Sequence, residues 1–243
     1  MTRSARFAAR TVLPNSESEA ERQLADLARL AAVGCRVARV RVPWATFIPQ
    51  PGRIDASVRE RLAAFVAGLH ALGIEPHLAL CGRRVPGWFV DDLAFADERR
   101  ADRHWSTFVD GVLESTTAEV GGIIPFEAPL AMAHQLHGAH LGPDNQEVRR
   151  FLAAIECVSL LMRRTATLAG TLDVTYVIDR SALSALGTTA GLAGLPNEAA
   201  NRLLEMTRDE MMRDGNDRRP VGVDVAANRL LVNNSVPARW ADL

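Results

Sequence analysis

The sequence predicts an α/β fold of repeating βα units, on three observations. β-Branched apolar runs alternate with amphipathic helical stripes along the chain. Gly or Pro punctuates almost every change from one to the other. One apolar run, Val120–Leu130, ends in a carboxylate between Pro125 and Pro129. Ile123, Ile124 and Phe126 suit a strand buried on both faces, and the prolines bar that strand from continuing. Glu127 is therefore expected at or just past a strand's C-terminal end, where α/β folds place their chemistry.

The elements follow in order. Arg6–Thr11 reads as a short first strand before a loop at Leu13-Pro14-Asn15. Ser16 with Glu19, and Ser18 with Glu21, stand at capping-box spacing ahead of a helix with Leu24, Leu27, Leu30 and Ala31 on one face. Gly34 stops it. Val37–Val42 alternates as a strand closed by Pro43-Trp44. After the loop Ile48–Gly52, Asp55 or Ser57 caps a helix whose stripe is Leu62, Phe65, Val66 and Leu69, ended by Gly73. His77–Leu80 is the third strand, closed by Gly82 and Pro86. A helix from about Glu98 to Thr116 precedes the Glu127 stretch. Asp144 and Glu147 then cap a long helix carrying Phe151, Leu152, Ile155 and Leu160, stopped by Gly170. Leu172–Ile178 is a fifth strand, Pro196 opens a helix through about Met212, and Val221–Val225 is a sixth strand. Gly187–Gly194 is the expected flexible loop.

Composition narrows the function classes. The 243 residues are 48% hydrophobic and 23% charged, which suits one domain, residues 1–243, with a full core. With 28 basic and 29 acidic residues the net charge is −1, so neither nucleic acid nor an anionic membrane is the expected partner. All the basic residues are Arg, which excludes lysine Schiff-base chemistry. No run reaches membrane-spanning length and no leader-like apolar stretch follows Met1, so a cytoplasmic location is expected. Cys35, Cys81 and Cys157 lie far apart in apolar contexts and read as reduced core thiols without metal-ligand spacing. No Gly-rich phosphate loop or serine nucleophile elbow follows a strand, and no cofactor is expected.

Several segments together resemble a family 1 glycoside hydrolase. Val40–Pro49 is similar to that family's RFSISWSRIxP, keeping Trp44 and Pro49. Gly73-Ile74-Glu75-Pro76, with Leu78, Leu80 and Pro86, resembles GIEPxxTLxHWDLP. Val120, Phe126 and Pro129 match VxxWxTFNEP, and Gly138–Gly142 is similar to the GxHAPG loop, His140 included. Val221-Gly222-Val223 stands where the family has GxNYY. The resemblance covers roughly residues 35–170 and is faint beyond. It implies a (β/α) barrel of the TIM type, here incomplete with about six parallel strands, and a β-glucosidase-like ancestry.

The departures bear on activity. Where the family's Asn-Glu pair supplies a substrate-binding amide and the acid/base, this chain has Glu127 and Ala128. A shift of one residue turns a strand side chain to the other face. The family's His-Trp-Asp is replaced by Gly82-Arg83-Arg84, and its nucleophile, a Glu ending the seventh strand, has no counterpart in the chain. Retaining hydrolysis needs two carboxyl groups about 5–5.5 Å apart, so ordinary hydrolysis is not expected.

Candidate site residues follow. Glu127 with His134 or His137 is the expected acid/base pair, since imidazole titrates near neutrality. His134, His137 and His140 fall three apart and invite a zinc reading, set against loop and cap histidines, and no metal is expected. Arg83 and Arg84 can grip a carboxylate or phosphate in bidentate fashion, or form a solvated rim pair. Trp44 and Trp88 are candidate pocket walls or core, and Asp179 and Asp224 candidate second carboxylates. The expected function is that of a repurposed, non-hydrolytic enzyme performing isomerisation, elimination, dehydration or cyclisation of a small metabolite. The alternative is a pseudo-glycosidase that binds a sugar or scaffolds a partner, with residual β-glycosidase activity a lesser one. An arc of six strands leaves the first and sixth as edges. The apolar tail Leu230–Leu243 is then expected either to plug the gap or to join a second copy in a homodimer.

Overall fold

The computed structural model describes residues 8–116, 120–137, 145–179, 220–224 and 229–233. The first strand, β1 (Ala8–Val12), leads through α1 (Glu17–Ala32) to β2 (Val37–Arg41). A short turn of helix, α2 (Trp44–Phe47), and then α3 (Ala56–Ala71) precede β3 (Glu75–Cys81). Next come α4 (Gly87–Asp91) and α5 (Glu98–Ser115), followed by β4 (Gly122–Phe126). Beyond it lie α6 (Pro129–His137), α7 (Asn145–Ala169) and β5 (Asp173–Asp179), and then β6 (Pro220–Asp224) and β7 (Arg229–Asn233).

Local chemistry accounts for the boundaries. Ser16 caps α1 by accepting from the Glu19 amide at 3.2 Å. The Glu19 carboxylate reaches back one residue further than a simple capping box, to the Asn15 amide at 2.8 Å. Asp55 rather than Ser57 caps α3, accepting from the Ser57 and Val58 amides. Gly34, Gly73 and Gly170 each take positive φ just past a helix, at 105°, 69° and 61°. The helix α6 was not anticipated; it opens on Pro129, whose missing N–H is no loss in a first turn.

Strands β1 to β5 pair in sequence order and all in parallel, as the βα cadence requires. The arrangement is an α/β fold of the incomplete TIM-type barrel. The order fails after β5: β7 lies between β5 and β6 and is antiparallel to both, giving β1-β2-β3-β4-β5-β7-β6. The expected sixth strand forms as β6 but is not β5's neighbour. The start of the apolar tail, expected as a plug or a dimer contact, is a strand of the chain's own sheet. A return of direction within a few residues favours this pairing, since antiparallel strands can be joined by a short turn and parallel ones cannot. β1 and β6 are the outer strands of the order. The expected helix at Pro196–Met212, the loop at Gly187–Gly194 and the loop at Gly138–Gly142 with His140 lie outside the described residues. Among the described residues no helix is long and apolar enough to cross a membrane.

The helix-facing side of the sheet is the main core. Ala38, Val40 and Val42 alternate along β2 towards Leu62, Phe65 and Phe108 of the helices, all buried. An aromatic group closes this layer beneath the strand ends. Trp105 stacks on Phe126 at 4.7 Å, Trp44 stacks on Phe108 at 5.3 Å, and the Trp105 indole N–H donates to Thr165 at 2.8 Å. The opposite face holds a much smaller apolar layer, Val37, Ala79, Ile124 and Val177.

Candidate functional site

The site begins with strand alternation. On β2 Val37, Arg39 and Arg41 share the face away from the helices, so the apolar layer gives way to two guanidinium groups towards the strand's end. Glu127 follows β4 directly. Its amide donates to the Cys81 carbonyl at 2.7 Å, which carries the β3–β4 ladder one residue beyond the strand and fixes the carboxylate at the mouth. One carboxylate oxygen lies 2.9 Å from Arg39 Nε, and the other accepts from Arg41 Nε. Glu127 and Arg39 are buried, with side chains 6% and 8% exposed, whereas Arg41 is 46% exposed. Burying one of these charges alone would cost several kcal/mol, roughly, so the pairing is what makes the arrangement tolerable.

A cavity of about 750 Å³ opens over these groups. Arg10, Arg41, Arg83 and Arg84 line it with Glu127, and Trp44 supplies an apolar wall. Cys81 sits below, its thiol pushed above the usual range by burial, with the Glu127 charge adding to the effect. It is thus a neutral core thiol and no nucleophile. Among the described residues no group of three His, Cys, Asp or Glu can hold a metal.

The expected site residues are only partly brought together. Glu127, Arg83, Arg84 and Trp44 meet at the cavity. Trp88 does not line it: its indole N–H donates to the Ile48 carbonyl at 2.9 Å and its ring meets Trp44 edge-on at 6.0 Å, on the core side. His134 and His137 are also absent from the lining, because α6 carries them along its axis, at about 1.5 Å per residue, away from Glu127. His137 instead faces α7, its Nδ1 3.7 Å from Glu147, and burial holds its pKa below the ordinary imidazole value. The expected Glu127–His pair is therefore not assembled. Asp179 and Asp224 end β5 and β6, both opposite Arg229 in register. Their side chains lie outside the described residues. Arg10, Arg39 and Arg41 were missed as site residues. The available signal was the spacing of Arg39 and Arg41, two cations on one face of a strand whose other face is apolar.

No family model matches the chain, and no curated protein does. Solved structures do match. A β-glycosidase from Pyrococcus horikoshii aligns with a TM-score of 0.59 at 15% identity, over 70% of this chain and 46% of that one. The fold is similar to part of the β-glycosidase barrel. β-Glucosidase 2 from Trichoderma reesei aligns with a TM-score of 0.57 at 17% identity, over 65% of this chain and 36% of its own. The virulence factor SghA from Agrobacterium tumefaciens gives 0.53 at 20% identity, over 64% and 36%. The chain spans between about a third and a half of the length of these structures. The likeness to these β-glycosidases is one of fold, over 64–70% of the chain.

Proposed function

We propose that this chain is a glycosidase-like barrel that binds a small molecule at its strand-end mouth and does not hydrolyse glycosides. One observation carries the reading. Among the described residues a single carboxylate, Glu127, lines the cavity, and each of its oxygens is already engaged by a guanidinium. A retaining hydrolase needs one carboxyl group to protonate the leaving oxygen and a second to attack carbon. Glu127 has no free oxygen to offer either task. The cavity volume lies within the range of small-molecule sites. Purified protein incubated with aryl β-glucosides and β-galactosides is expected to release no aglycone above a Glu127→Gln control. Turnover that this substitution abolishes would overturn the proposal.

The exposure of Arg41 favours a second reading, in which the site is catalytic. A ligand that draws Arg41 to itself would free one Glu127 oxygen to accept a proton from that ligand, as in an isomerisation, elimination, dehydration or cyclisation. Glu127→Gln then binds ligand and loses turnover. A homodimer through the outer strands also remains a proposal, supported by their position in the sheet order. A monomeric mass by light scattering at micromolar concentration would rule it out.

A further inference from the structure

We propose that the cavity is an oxyanion site, built to take the phosphate or carboxylate group of a small metabolite, with Arg41 as its anchor. The inference rests on the reading that the mouth binds a small molecule, and it names the class of that molecule. Among the described residues five arginines line the cavity, Arg10, Arg39, Arg41, Arg83 and Arg84, against the single carboxylate of Glu127. Glu127 is shared by Arg39 and Arg41, while the side chains of Arg10, Arg83 and Arg84 have no hydrogen-bond or ion-pair partner among the described residues. The chain as a whole carries a net charge of −1, so this excess of cations is local to the mouth. Like charges gathered in a concavity focus a positive potential that an anion relieves.

Arg41 is prepared for the task in two ways. Its Nε is committed to Glu127, which fixes the plane of the guanidinium and leaves both terminal nitrogens without a partner among the described residues. Gly82, at the end of β3, gives the side chain room. A Cβ built there would stand 3.2 Å from Arg41 Nε and 3.4 Å from its Cδ. Two parallel N–H donors held in a plane match the oxygens of a carboxylate or phosphate better than any other side-chain arrangement. Arg10 approaches from β1 and Arg83 and Arg84 from beyond β3, so one oxyanion can be met from three strands. Val12, Pro43, Trp44 and Ala45 add apolar surface to the lining, which suits an uncharged carbon body attached to the anionic group. A cavity of about 750 Å³ fits a metabolite rather than a polyanionic chain.

The test is calorimetric titration of the full chain with four probes: inorganic phosphate, citrate, glucose 6-phosphate and glucose. At least one anionic probe is expected to bind, with an affinity that falls as salt rises, and glucose is expected to bind at least roughly tenfold more weakly than its phosphate. The contrast between citrate and the two phosphates tells carboxylate from phosphoryl recognition. The double variant Arg83→Ala/Arg84→Ala should weaken the anion roughly tenfold or more without lowering the unfolding temperature, since both side chains are exposed. Gly82→Ala should weaken it too, by displacing Arg41. Glucose binding as tightly as glucose 6-phosphate would overturn the oxyanion proposal and leave the small-molecule reading standing. So would anion binding untouched by the double variant. No binding of any anionic probe at about 10 mM overturns the proposal, and the response to glucose then shows whether the mouth still takes a neutral ligand.

Discussion

On the helix side of the sheet Trp44, Trp105, Phe108 and Phe126 touch one another in a buried aromatic layer. On the other side, past Val37, Ala79 and Ile124, the chain buries Arg39 against Glu127 and leaves Arg41 half in water. The two regions meet the cost of folding differently. Each large aromatic on the first side contributes roughly 1.5–3 kcal/mol through burial alone. The ion pairs on the second side do little better than cancel the desolvation of their own charges. Stability is therefore a weak reason for the chain to hold charges there. A cavity that needs fixed guanidinium groups is a better one.

The largest effect should come from the aromatic side. Trp105 is fully buried, stacked on Phe126 and hydrogen-bonded to Thr165. Trp105→Ala is expected to cost about 3–5 kcal/mol, read from the urea midpoint. A loss under about 1 kcal/mol would break the contrast between the two faces.

Removing the carboxylate comes next. Glu127→Gln removes the carboxylate that Arg39 and Arg41 share, for an expected loss of about 3 kcal/mol, the lower end for a broken buried pair because Arg41 can turn to water. The two arginines sharpen the point. Arg39→Ala should be clearly destabilising, whereas Arg41→Ala should cost no more than about 1 kcal/mol, its partner being still paired and its own charge already solvated. Equal losses for the two would mean that Arg41 is structural rather than held for a ligand.

These two faces were unequally legible in the sequence. The helix side was readable from periodicity: Leu62, Phe65, Val66 and Leu69 fall on the buried stripe of α3, and glycines at 34, 73 and 170 end helices where positive φ is needed. Glu127 was placed by an apolar run that ends in a carboxylate between two prolines, a purely local signal. The partners of Glu127 were not readable, because Arg41 lies 86 residues away in sequence and only strand pairing brings it near. The same limit hid the place of β7. Its antiparallel register with β5, Thr175 opposite Asn233, is a long-range fact with no local signature, and its apolar residues suited a plug equally well. Spacing also misled at the histidines: His134 and His137 share a helix, yet that helix carries them off the cavity.

A smaller effect probes a polar link inside the aromatic side. Thr165 is fully buried, accepts from the Trp105 indole at 2.8 Å and donates to the Leu161 carbonyl at 2.8 Å. Thr165→Val keeps the shape and removes both bonds, leaving a buried indole N–H unsatisfied. The expected cost is about 1–2 kcal/mol in urea unfolding. A neutral result would make this layer purely a matter of packing.

The smallest effect lies where the helix layer itself holds a titratable group, and it appears only on acidification. His137 on α6 stands 3.7 Å from Glu147 of α7, and its Nε2 is buried without a hydrogen-bond partner among the described residues. Burial lowers its pKa; Glu147 pulls the other way and Arg150 reinforces the lowering. The folded imidazole thus protonates at lower pH than the unfolded one, whose ordinary value is 6.5. Between those two values the unfolded chain binds the extra proton, so stability rises with pH across that window and is lost as pH falls below about 6.5. The loss levels off once pH drops under the folded value, where both states carry the proton. His137→Gln removes the titration while keeping a polar side chain of similar reach. Urea unfolding at pH 7.5 and pH 5.5 should therefore show the wild-type chain losing more stability on acidification than the variant. If the wild-type chain instead gained on the variant at pH 5.5, the pair with Glu147 would outweigh burial, and α6 would be held to α7 by charge rather than by packing.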